Sequence, residues 1–278
     1  MNRSFAWLIA TAISFGVIGA AAAADLPVKA RPMPVPVYNW TGCYIGASAG
    51  AKGAYPRESV TIPGTTAGGL TTPTSVQTFG RDANDDGTWL LGGQVGCNYQ
   101  AAGSNWVFGI EGDAHGQHWA QTNIVQFPPP LFVAGDRFDL ASDWQASVRG
   151  RIGYAMDRTL FYVTGGAAFT NVRATSNWIA DGIFPATFLT QEKTLTGGTV
   201  GAGVEYAVTD NITLGMEGRY THYASTRFDA GSLAVIVPPG AAVTFARVNT
   251  YRDVELETGE ILFRANYKFG PGAVVAKY

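Results

Sequence analysis

Charge is scarce in this chain. Asp, Glu, Lys and Arg supply 14% of its 278 residues, and the formal net charge is −2. No basic excess marks a nucleic-acid surface. The combination of low charge with 46% hydrophobic residues excludes an intrinsically disordered chain. Histidine is limited to His115, His118 and His222, and cysteine to Cys43 and Cys97. Beyond the N-terminus no run reaches 18 consecutive apolar residues, so no further membrane helix is predicted. If the chain enters a membrane, it must do so as a closed barrel. Glycine, by contrast, is abundant at 35 residues, and aromatics make up 12%. This composition suits a soluble all-β protein or a membrane protein, and only the pattern separates them.

The N-terminus, MNRSFAWLIATAISFGVIGAAAAADLP, carries Arg3, an apolar run from about Phe5 and a row of small residues ending at Ala24. It reads as a secretory signal over residues 1–24, cleaved near Ala22-Ala23-Ala24, with an uncleaved helical anchor as the alternative. The proline-rich residues 25–38 then form an extended periplasmic tether. Residues 39–269 are predicted to be the barrel and residues 270–278 a C-terminal extension.

Eight segments show period-two patterning: 40–52, 88–100, 106–117, 138–154, 160–172, 194–207, 212–223 and about 251–269. Their connections alternate. Segments 53–87, 118–137, 173–193 and 224–250 are long and rich in Gly, Pro, Thr and Asp, whereas AAGSN, AMDRT and VTDN are short. An even set of antiparallel strands with short turns at one rim and long loops at the other is the plan of an eight-stranded outer-membrane barrel.

Within SVRGRIGYAMDRTLFYVTGGAAF the alternation places Arg149 and Arg151 opposite Trp144, Ala146, Val148, Ile152 and Tyr154. With the apolar set facing lipid, both arginines point into the lumen. Glu111, Asp113, Glu217, Arg219, Arg264 and Lys268 share that inward phase, and Glu111 and Arg149 fall at similar heights on neighbouring strands. Eight strands enclose little more than side chains, so these charges must pair, and they read as a structural plug in preference to a conducting pore. Trp40, Tyr99, Trp106, Tyr154, Tyr206 and Tyr267 fall near the short-turn ends, as an interfacial girdle requires. Trp89, Trp119 and Trp178 lie toward the opposite rim.

The segments WTGCYIGASAG, WVFGIEGDAHG, SVRGRIGYAMDRTLFYVTGGAAF, GGTVGAGVEYAVTDNITLGMEGRY and RANYKFG resemble the Omp25/Omp31-type, porin-like outer-membrane β-barrel family of alphaproteobacteria, over roughly Trp40 to Phe269. That resemblance implies an eight-stranded barrel, insertion by the outer-membrane assembly machinery and a role in envelope integrity. It further implies surface-exposed, antigenic loops, and it carries no catalytic residues. Family strands usually have an aromatic where Cys43 and Cys97 stand, and usually end at the aromatic matching Phe269. Here GPGAVVAKY continues to Tyr278, so either Tyr267/Phe269 or Tyr278 serves as the assembly signal.

Hairpin pairing places Cys43 and Cys97 at similar heights on the outward face, where a cross-strand disulfide and two free lipid-facing thiols are both compatible with the pattern. Asp113 and His115 share a face, but the spacing fixes no serine beside them, and the histidines read as polar rim residues. His115 and His118 fall on opposite faces, so they make no metal pair. GRDANDDGTW has acidic spacing that could invite calcium but lacks a closing glutamate, and it reads as a turn. No cofactor and no metal ligand is expected. The sequence therefore predicts a structural outer-membrane barrel in contact with lipid, lipopolysaccharide and the assembly machinery, with a small diffusion porin or a lipid-modifying enzyme as alternatives.

Overall fold

The computed structural model describes residues 38–67, 70–79, 87–128, 132–180, 186–237 and 244–269. The expected signal, the tether before Tyr38, the C-terminal extension and residues 80–86 of the acidic turn lie outside them. Among the described residues the strands are β1 (Gly42–Ile62), β2 (Thr66–Ala67), β3 (Leu70–Thr71), β4 (Ser75–Phe79), β5 (Thr88–Gln100) and β6 (Trp106–Ile124). They continue with β7 (Arg137–Met156), β8 (Thr159–Trp178), β9 (Thr187–Ala207), β10 (Ile212–Val237) and β11 (Thr244–Phe269).

The main sheet holds nine antiparallel strands, and its ends meet because β1 pairs with β5 on one side and with β11 on the other. Eight long strands, β1 and β5 to β11, thus close a ring. The ninth, β4, pairs only with the top of β1, from Glu58↔Phe79 to Ile62↔Ser75, above the point where β5 meets it at Lys52↔Thr88. Closure leaves no strand edge in the hydrocarbon, so every ladder group there has a partner. Residues 101–105, 157–158 and 208–211 make the short connections. Asp157 has φ 54° in its two-residue turn, a left-handed conformation that Asp tolerates because its short side chain bonds locally.

The lower barrel is apolar outside and polar inside. Val95, Ile110, Val148, Val163, Val200, Met216 and Phe263 point out, while Glu111, Arg149, Glu217 and Arg264 are buried within. Tyr99, Trp106, Tyr154, Tyr206 and Tyr267 project outward near the short-turn rim. Trp40 does not join them. It precedes β1, where the chain folds under the barrel mouth; its backbone N–H donates to Gln100 Oε1 (2.9 Å), its Nε1 to the Asp157 carbonyl (3.2 Å), and 1% of it is exposed.

The long loops expected from the sequence prove to be largely strand. β10 and β11 each run 26 residues. At the usual rise and tilt such a strand climbs on the order of 65 Å, more than twice the apolar band of a membrane barrel. Above that band the two faces exchange character. Arg57, Arg173, Arg227 and Asp229 point outward, while Val60, Phe138, Leu140, Phe228 and Leu256 are buried inside. Trp119 and Trp178 also turn into this upper core, whereas Trp89 faces out.

Two strands hide the change from a period-two count. On β7 a register shift lies between Ala141 and Gln145, where Asp143 and Trp144 both face out. On β10 another lies between Tyr223 and Thr226, where Ala224 and Ser225 both face out. Going up the barrel, each bulge moves the inward positions from odd to even numbers and breaks the alternation that marks a strand.

Candidate functional site

The feature these strands position is the lumen. Going up from the short turns, Tyr38 and Trp40 pack with Val107, Ala155, Leu160, Tyr162 and Ala207 to close the periplasmic mouth. Burial raises the Tyr38 hydroxyl to about 12, so it stays protonated. Lys268 donates to the Asn39 carbonyl at the same mouth.

Above this cap Arg151 pairs with Glu205, which also accepts from Thr213 Oγ1 (2.5 Å) and Asn266 Nδ2 (2.8 Å). The Arg151 guanidinium lies 3.7 Å from the Tyr162 ring centroid. In the next layer the register sets Glu111 directly opposite Arg149, and Arg149 Nη2 donates to Glu111 Oε1 at 2.5 Å. Arg149 also pairs with Glu217 and, at 3.2 Å, with Asp113. Arg264 bridges Glu111 and Glu217 from the other wall. Arg219 closes the layer onto Asp113 (2.9 Å) and Glu217 (3.2 Å). Higher still, Lys52 Nζ donates to Gln117 (2.8 Å) and Gln145 (2.7 Å), and Gln145 donates to Glu260 (2.9 Å).

All eight charged residues expected from the sequence are thus buried inside. Seven join one connected set, while Lys268 remains at the mouth. Sequence reasoning missed Glu205, Glu260 and Lys52, although Glu205 stands in the inward phase between Val204 and Tyr206. With them, five anions (Glu111, Asp113, Glu205, Glu217, Glu260) face five cations (Lys52, Arg149, Arg151, Arg219, Arg264). Such neutrality is what a lumen of low dielectric demands.

Glycines let side chains cross between strands. Tyr44, Gly96 and Glu111 are successive partners across β1, β5 and β6, and the Tyr44 hydroxyl donates to Glu111 Oε2 at 2.5 Å. A Cβ at Gly96 would meet that hydroxyl oxygen at 2.5 Å, so the contact needs glycine. Ser48, Gly92 and His115 repeat the arrangement one level up, with Ser48 Oγ 2.8 Å from His115 Nε2. No spacing in the sequence could show this, since the partners are 67 residues apart.

Ser48, His115 and Asp113 follow the order of a nucleophile, base and acid, but the carboxylate and the hydroxyl also have other partners. The Asp113 carboxylate lies 3.2 Å from His115 Nδ1 without hydrogen-bond alignment, and it is held by Arg149, Arg219 and Ser147. Ser48 itself donates to Gln94. It is 4% exposed, and packed layers lie above and below it.

The upper barrel closes the other end. One apolar cluster is built around Trp119, Leu140, Leu195, Tyr223, Phe228 and Leu256, and a second around Val60, Ile62, Phe132, Phe138 and Trp178. Between them Arg252 and Glu58 lie 2.7 Å apart. Burial raises the Glu58 carboxyl and lowers the Arg252 guanidinium, each effect opposed by the partner's charge.

On the outer face of the lower barrel Cys43 and Cys97 are direct cross-strand partners, Cα atoms 3.9 Å apart, and form a disulfide. Both are exposed on the wall expected to face lipid. His118 lies outside, 4.0 Å from Asp143. Among the described residues, one group could hold a metal ion: His222, Glu255 and Glu257, also on the outer wall.

A family profile described as the outer membrane protein beta-barrel domain matches residues 10–269. The chain is 31% identical over 217 residues to a 22 kDa outer membrane protein of Rhizobium leguminosarum bv. viciae, covering 76% of this chain and 74% of that protein. It is 32% identical over 206 residues to a 31 kDa outer-membrane immunogenic protein of Brucella melitensis, covering 70% and 76%. A 25 kDa outer-membrane immunogenic protein of Brucella abortus is 29% identical over 218 residues, covering 77% and 82%.

Proposed function

The chain belongs to the outer membrane protein β-barrel family and resides in the bacterial outer membrane, and we propose that its work there is structural. In this reading a sealed barrel anchors a folded extracellular extension and supports envelope integrity. The observation that carries it is the lumen, where ion pairs fill the membrane section and apolar clusters pack at both ends. A diffusion pore needs a continuous wet path, and the stacked layers among the described residues argue against one.

Outer-membrane lipid and lipopolysaccharide cover the outward apolar band, and the assembly machinery reads a C-terminal aromatic. Residues 1–24 direct export, and the expected tether ends at residue 37, because Tyr38 packs into the periplasmic mouth. Full-length chain, folded and reconstituted into planar bilayers, is expected to give no stepwise current above the lipid background. A deletion strain is expected to lose resistance to detergent and regain it on complementation. Reproducible single-channel steps would replace this reading with the small diffusion pore.

A further inference from the structure

We propose that His222, Glu255 and Glu257 form a site for one divalent first-row transition metal ion of the zinc class, on the outer wall just above the lipid band. The backbone brings them together. His222 on β10 is the direct partner of Glu257 on β11, and Glu255 stands two residues further along the same outward face. The bulge between Tyr223 and Thr226 sets two β10 residues opposite Glu255, with Tyr223 turned inward.

His222 Nδ1 lies 3.8 Å from Glu255 Oε1 and 3.8 Å from Glu257 Oε1, and the three candidate ligand atoms all fall within 4.8 Å of one another. Donors at ordinary zinc distances in tetrahedral geometry sit roughly 3.4 Å apart. Rotamer adjustments of a few tenths of an ångström therefore suffice for the two histidine–glutamate separations.

The donor set selects the ion. One imidazole with two carboxylates suits zinc, manganese or cobalt, whereas calcium and magnesium favour all-oxygen shells. Position favours binding too. The His222 side chain is 50% exposed, Glu255 31% and Glu257 17%, so the ion has access from water while the carboxylates are partly desolvated. Tyr220, two residues below, marks the top of the outward apolar run of β10.

Competition at Glu255 is weak. Arg57 approaches Glu255 only to 4.0 Å with its side chain 54% exposed, a pairing of small energy. Glu257 has an additional interaction of its own, which the metal would have to share or displace. The other exposed histidine, His118, has one acidic neighbour among the described residues, Asp143, at 4.0 Å. It serves as the internal control.

The test titrates zinc chloride into folded full-length chain in detergent micelles by calorimetry. One ion per chain is expected, with affinity reduced at least tenfold in His222→Ala and in Glu257→Gln and unchanged in His118→Ala. Unboiled gel mobility verifies that each variant is folded. In wild-type protein, zinc should protect His222 but not His118 from carbethoxylation, read by mass spectrometry. Absence of stoichiometric binding, equal affinity in His222→Ala, or protection confined to His118 would each overturn the site.

Discussion

Arg149 is held by three carboxylates, from Glu111, Asp113 and Glu217, and is fully enclosed. Removing it leaves negative charges in a space that water does not reach. Arg149→Met is therefore expected to cost about 3–5 kcal/mol, since loss of one member of a buried ionic set strands the others. Urea titration of folded protein, scored by unboiled gel mobility, measures it, and an unchanged midpoint would mean that water reaches the carboxylates. The direction of this side chain was legible from alternation alone, because Arg149 lies between outward Val148 and Gly150. Its pairing with Glu111 was legible from their similar heights on neighbouring strands, but its pairing with Glu217 was not. Glu217 is 68 residues away, on a strand that is not a neighbour of β7 in the ring, so only closure across the lumen makes them partners.

Strands carry the next level of information. β5 contains no register irregularity and ends where the lipid band ends, and its predicted limits of 88 and 100 agree with the structure. β7 and β10 outrun the membrane through bulges, and there the sequence reading stopped at loops. The hairpin of β1 and β5 has its own fastener. Cys43 and Cys97 join positions 54 residues apart, and a chain-entropy argument assigns such a crosslink about 4 kcal/mol, acting mainly on the unfolded state. Cys43→Ala with Cys97→Ala should accordingly lower the urea midpoint while leaving the folded spectrum intact. Alkylation of the unreduced wild-type protein should find no reactive thiol. Equal midpoints would show that the closed barrel already supplies the constraint.

Taken together, the molecule is two barrels built from one set of strands. The lower one is solvated by lipid and filled with charge, and the upper one is solvated by water and filled with Phe138, Trp178, Phe132 and Ile62. Phe138 is fully buried and touches aromatic neighbours on three sides, Phe79, Phe132 and Trp178, at centroid distances of 5.7, 6.5 and 5.1 Å. Phe138→Ala should destabilise the upper barrel by about 3–5 kcal/mol. Because the lower barrel has a separate polar interior, limited proteolysis should cut the extension while a heat-modifiable membrane fragment survives. Loss of the whole barrel from that single change would mean that the two parts fold as one unit.

Solvent explains the division between what could be read along the chain and what could not. Where lipid bathes the wall, the outward positions must be apolar, so strand number, order, turn rim and inward charges were all written as a period of two. Above the membrane water bathes the wall, the rule reverses, and bulges shift its phase, so the extension was invisible as strand. Contacts across the lumen, such as Arg149 with Glu217 and Arg264 with Glu111, depend on which strands closure sets facing one another. That is a property of the closed sheet, because residues far apart in the chain become partners only once its first and last strands have joined.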